Sequence, residues 1–179
     1  QSIEGEKLTF SVQKLLSGKK TWEGTLDGVD LGGSLTSATQ TVQPRGLSGD
    51  LLGSDGGKSV TVLKPGDAIA SPVDGVTLTG IGYVDGWLHV QVYYADILKT
   101  DNHGSISLVN RETGEQIECD GSAAFFDDAG TGSYEDYVFT GIEADALDTY
   151  ALYGMFVTSA GPVEGNWSVT FPLENTAGN

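Results

Sequence analysis

Apolar side chains return at every second position along most of this chain, the period of a strand with one face turned toward a core. Leu8, Phe10 and Val12 alternate with Thr9, Ser11 and Gln13, and Val60 and Val62 flank Thr61. Val76 and Leu78 alternate with Thr77 and Thr79, and the run continues to Val84. After Asp85-Gly86, the residues Leu88, Val90, Val92 and Tyr94 alternate with Trp87, His89, Gln91 and Tyr93. Two alternating runs joined by Asp-Gly predict a β-hairpin, because both central residues of its tight turn need positive φ. A second hairpin is expected over residues 105–119, with Gly114 at the left-handed position that closes its loop.

Further strands are expected at 7–16, 20–26, 38–43, 122–126, 137–142, 150–158 and 166–173. In the last, Trp167, Val169, Phe171 and Leu173 share a face, and Pro172 marks an edge or the end of pairing. Trp22 and Trp167 are expected in the core. No segment keeps a capped 3.6-residue stripe; Glu143 to Leu147 makes at most one helical turn. From about residue 67 onward the strands and turns have the number and spacing of an immunoglobulin-like β-sandwich. The segment Asp148-Thr149-Tyr150-Ala151-Leu152 resembles the tyrosine corner of such domains, with Leu152 at the cysteine position. Lys64-Pro65-Gly66-Asp67 is the expected boundary, giving a small N-terminal β unit over 1–66 and the sandwich over 67–179. One extended sandwich is the alternative.

Charge narrows the partners. Residues 1–111 carry nine Lys/Arg against twelve Asp/Glu, a net of −3. Residues 112–179 carry thirteen Asp/Glu and no Lys, Arg or His, a net of −13. Such a surface repels phosphate, which argues against nucleic acid as a partner. Solubility explains the acidity, and attraction of cations or a basic partner is the alternative. The single cysteine, Cys119, cannot form an intramolecular disulfide. No apolar stretch approaches the ~18 residues that span a bilayer. With no initiator Met and no leader, Gln1 is expected to begin a processed or truncated product.

The search for chemistry yields few candidates. Residues 49–59 mimic a phosphate loop, but Leu52 occupies the position of its first glycine and a strand follows. Gly80, Gly82 and Gly86 nearly match a dinucleotide fingerprint, yet they lie in a hairpin. Cys119 with His89 or His103 is a conceivable nucleophile and base, but Glu118 and Asp120 flank the thiol and raise its pKa. Serine-hydrolase and zincin motifs are absent. The chain is therefore expected to be non-enzymatic and to bind no cofactor, although a carboxylate pair brought together in space would escape this reading. Asp127 and Asp128 open an oxygen-rich loop that is either a calcium site or a solvated acidic turn. Trp87 and Tyr93 lie on the face of their strand opposite Leu88, Val90 and Val92. If solvated, that face is an aromatic platform for a sugar ring or a protein; the alternative is a face covered by neighbouring structure.

Residues 74–94, DGVTLTGIGYVDGWLHVQVYY, and 165–174, GNWSVTFPLE, resemble an uncharacterised extracytoplasmic domain of Gram-positive bacteria. That domain occurs in membrane-tethered proteins related to anti-sigma factors, and the resemblance covers roughly 67–175. It implies a sensor or interaction domain outside the membrane, recognising a protein or cell-envelope ligand. The membrane would be reached only through a segment absent from this chain. A secreted carbohydrate-binding or adhesion module using Trp87 and Tyr93 is the alternative.

Overall fold

The structure, a computed structural model, describes residues 7–49 and 58–172. Its strands begin with β1 (Lys7–Ser17), β2 (Lys20–Thr25), β3 (Leu35–Thr36), β4 (Thr39–Val42) and β5 (Gly46–Ser48). They continue with β6 (Val60–Leu63), β7 (Ala70–Val73), β8 (Val76–Val84) and β9 (Trp87–Tyr94). A short helix, α1 (Ile97–Thr100), precedes β10 (His103–Asn110), β11 (Gln116–Glu118), β12 (Gly121–Phe126) and β13 (Ser133–Phe139). A 3-10 turn (Ala144–Thr149) leads into β14 (Tyr150–Thr158) and β15 (Gly161–Pro172). The fold is all-β, as the period of two predicts. No helix among the described residues is long and apolar enough to cross a membrane.

Two sheets form the sandwich. One runs β3-β8-β9-β13-β12-β5, with β7 also on β8; the other runs β11-β10-β14-β2. Between them, Val76, Leu78, Val90, Val92, Tyr94 and Phe139 meet Ile106, Leu108, Leu152 and Phe156 in one core. Tyr94 and Tyr137 carry a polar thread through it: their hydroxyls are 2.7 Å apart, and Tyr137 donates to the Gly104 carbonyl at 3.0 Å. Trp22 stacks on Phe156 at 5.6 Å and packs against this core.

The predicted 85–86 turn is present, with φ of 51° at Asp85 and 86° at Gly86. The alternation of β8 breaks at Thr79, where a register shift lies between Leu78 and Gly80. Beyond it, Ile81 and Tyr83 take the core-facing register opposite Val90 and Leu88. Gly80 and Gly82 then lie on the outer face, where other strands come close. A Cβ at Gly82 would stand 2.2 Å from the Thr36 carbonyl oxygen of β3, and one at Gly80 would stand 3.2 Å from Leu63.

That outer face is itself covered. The two-stranded β4–β6 sheet lies over it, packing Val42, Val60 and Val62 against Leu47, Ala123, Phe125 and Tyr134. Strands from residues 7–49 also complete both main sheets: β2 pairs with β14, β3 with β8 and β5 with β12.

The remaining sheet is a two-stranded ribbon in which β1 pairs antiparallel with β15 from Lys7↔Pro172 to Ser17↔Gly161. Trp167 lies here with 41% of its surface exposed, so its assignment to the core is corrected. Among the described residues its strand has one neighbour and no second layer to bury it. Leu173 falls outside the described residues.

Candidate functional site

The loop that joins β12 to β13 is organised around Asp127. Its Oδ1 accepts from the Thr131 N–H at 3.0 Å; Oδ2 accepts from the Gly132 N–H at 3.1 Å and the Tyr93 hydroxyl at 2.9 Å. Gly130, with φ of 68°, turns the chain back so that its N–H donates to the Asp127 carbonyl at 3.0 Å. Partial burial alone would raise the Asp127 carboxyl, but the hydrogen bonds from Tyr93, Gly132, Thr131 and Gly130 outweigh it and hold the carboxyl below its usual range. Burial, followed by the bond to Asp127 and its charge, pushes the Tyr93 phenol up to about 12.

This loop braces a row of aromatic rings. Tyr93 lies 4.8 Å from Tyr134, and Tyr134 stacks on Phe125 at 5.3 Å. Phe126 is exposed beside them, with the Arg45 guanidinium 5.6 Å from its ring centroid. Between this row and the β4–β6 cover lies a cleft of about 330 Å³, lined by Gln40, Lys64, Phe125, Phe126, Asp128 and Tyr134, among others. It offers an apolar ring face together with an amide, a cation and a carboxylate, the combination that orients a small polar ligand.

The sequence-derived candidates divide between two places. Tyr93, Asp127 and Asp128 belong to this region, but Trp87 does not. Trp87 is half-buried at the opposite end of β9, six residue steps or ~20 Å from Tyr93. The shared face between them is filled by buried His89 and Gln91. These join Asp136 and the β6 backbone: His89 Nδ1 lies 2.7 Å from Asp136 Oδ1, and the Leu63 N–H donates to Asp136 Oδ2 at 2.8 Å. Gln91 Nε2 donates to the Leu63 carbonyl at 2.7 Å, while Thr79 donates to Gln91 Oε1 at 3.0 Å.

Tyr134, Phe125 and Phe126 were not singled out from the sequence. Tyr134 carries the right signal, since it alternates with Asp136 and Val138, but β13 begins at Ser133 rather than at the expected 137. That start turns a loop residue into one wall of the cleft.

For calcium, the Asp127 oxygens face their own loop donors, and no group of three or more His, Cys, Asp or Glu among the described residues could hold a metal ion. Neither histidine meets Cys119. His89 is bound to Asp136, and His103 lies at the far end of β10 from Ser107, which pairs with Glu118. The Cys119 thiol is pushed up by burial, then by the charges of Glu118, Glu135 and Asp120, despite an opposing backbone hydrogen bond.

A second cleft of about 360 Å³ lies at the base of the β1–β15 ribbon, lined by Lys20, Asp74, Asp96 and Asn102. It has no aromatic wall. Searches against protein-family models, curated proteins and solved structures return no match to this chain.

Proposed function

We propose that this chain is a non-enzymatic sensor or interaction domain working outside the membrane, and that it recognises its ligand in the Tyr134 cleft. The observation carrying this reading is the Tyr93–Tyr134–Phe125 row, tilted at its first contact and stacked at its second, braced by the bond from Tyr93 to Asp127 and bordered by exposed Phe126. A prepared aromatic face with a few convergent polar groups is a recognition surface. The resemblance of residues 74–94 and 165–174 to the extracytoplasmic part of anti-sigma-factor-like proteins supports placing it in a membrane-anchored regulator with an immunoglobulin-like sandwich.

A carbohydrate-binding or adhesion module is the second reading, favoured by the ring face and moved from Trp87 to Tyr134 and Phe126. A glycosidase reading finds less support. Two carboxylates, Asp127 and Asp128, do border the cleft, but a general acid needs a raised pKa and Asp127 is held low.

Titrating isotope-labelled protein with cell-envelope polysaccharide and with the envelope protein fraction tests the site. Shifts are expected at Tyr134, Phe126 and Lys64, with binding lost in Tyr134→Ala. Binding that persists unchanged in both Tyr134→Ala and Phe126→Ala would remove the cleft as the ligand site.

A further inference from the structure

The β1–β15 ribbon has two unlike faces. Leu8, Phe10 and Val12 pair with Phe171, Val169 and Trp167, so all six occupy one face; Thr9 and Ser11 pair with Thr170 and Ser168 on the other. The five large apolar residues other than Leu8 are each 41–55% exposed, and none of the described residues buries them. An isolated two-stranded ribbon is at best marginally stable in water, and acquires stability when its apolar face packs on another layer. Among the described residues no strand pairs with either outer edge of this ribbon, and the bulge between Val12 and Lys14, the Lys14–Glu164 ion pair and the prolines at 162 and 172 discourage edge addition. The face, not the edge, is the surface left to fill.

Bulk alternates across it. Phe171 stands opposite Leu8, Phe10 opposite Val169 and Trp167 opposite Val12. The larger ring switches strand at each level, leaving a zigzag ridge beside a zigzag groove. Consider a two-fold axis along the ribbon, midway between two apolar faces ~10 Å apart. It lays β1 of one copy over β15 of the other at the same level. Phe10 then meets Val169, Trp167 meets Val12 and Phe171 meets Leu8, large on small at every step. Three half-exposed aromatics and three aliphatics offer on the order of 450 Å² per copy, or ~900 Å² for the pair, close to the ~1,000 Å² floor of specific interfaces.

We infer that the apolar face of the β1–β15 ribbon is a homodimerisation surface, on which two copies stack by two-fold symmetry into a four-stranded, two-layer unit. This surface is independent of the Tyr134 cleft. The contact is small, so the dimer is weak. It also brings together two bodies that each carry a net charge of −16, so salt, which shortens the screening length from ~10 Å at 0.1 M to ~3 Å at 1 M, strengthens it.

Sedimentation equilibrium of the whole chain from about 5 to about 300 µM reads the state directly. The wild type is expected to move from 18.7 kDa toward twice that mass, and to do so at lower concentration in high salt. Phe10→Lys weakens association at least tenfold. Val169→Trp makes the face more apolar but sets large on large, and it also weakens association at least tenfold. Thr9→Lys, on the polar face, leaves association unchanged. Circular dichroism checks that each variant keeps its strand signal, and if Phe10→Lys loses it, Val169→Trp carries the test. A wild type monomeric at about 300 µM in about 1 M salt overturns the proposal. So does association that Val169→Trp leaves unchanged or strengthens, or a monomer that binds phosphatidylglycerol vesicles through Trp167.

Discussion

His89 and Asp136 meet at 2.7 Å with essentially no solvent contact at either side chain, beneath a strand whose Leu63 N–H donates to the same carboxylate. The contact lies within the large sheet, between β9 and β13, and the bonds from Leu63 to Asp136 and from Gln91 to Leu63 tie that polar cluster to the β4–β6 cover.

Removing one partner of a buried pair leaves the other uncompensated, at a cost of about 3–5 kcal/mol. His89→Leu should therefore lose about that much stability in urea denaturation, with the β6 amides losing hydrogen-exchange protection first. Asp136→Asn keeps an acceptor for Leu63 and should lose less, about 1–3 kcal/mol. Equal losses for the two would argue that the pair itself matters little.

The Asp127 loop should loosen at both ends of the pH scale. Asp127 is held below its usual value, so its contribution is present above ~4, the unfolded value, and vanishes as pH falls through the lower folded one. Tyr93 is raised to about 12, so its contribution is complete below ~10 and vanishes as pH climbs through about 12. Amide exchange at Thr131 and Gly132, corrected for intrinsic rate, should be slowest between these limits. In Asp127→Asn the acid limb should disappear, and the Tyr93 phenol should titrate earlier by ultraviolet absorbance.

Gly82→Ala should cost about 1–3 kcal/mol, because its Cβ would press on the Thr36 carbonyl and move β3. Gly46→Ala, in β5, meets nothing within 4 Å and should stay within about 0.5 kcal/mol of wild type. Thermal denaturation of the two variants, which share the same chemical change, isolates the effect of strand approach.

These glycines show where sequence reading succeeded and where it stopped. Positive φ at Asp85 and Gly86 is a local demand, so the hairpin was legible from two residues and their flanks. Gly80 and Gly82 answer a demand made by β6 and β3, strands distant in sequence, and no local pattern reveals it. The same holds for the site. Tyr93 and Asp127 were visible as an aromatic and an acidic loop, but their hydrogen bond and the approach of Tyr134 depend on the pairing of β9 with β13. Trp167 misled because alternation reports that a strand has an apolar face, not that another layer covers it.

Cys119 should behave as a slow thiol. Burial and three nearby carboxylates disfavour its thiolate. Alkylation by iodoacetamide near pH 8 should be at least tenfold slower than for a free cysteine, and urea should abolish the difference. Rapid labelling of the native protein would reopen the case for a nucleophile.

The ribbon joins Lys7 to Pro172 at one end and Ser17 to Gly161 at the other, where it enters the body. Tension applied at Lys7 and Pro172 would therefore fall on one cross-strand pair at a time rather than on the whole ladder. The strands would part like a zipper from the outer end inward, while the sandwich behind Ser17 stayed folded. A load carried through these two positions would be met first by a compliant element that lengthens at low force, opening the face formed by Phe10, Trp167 and Phe171 as it does so.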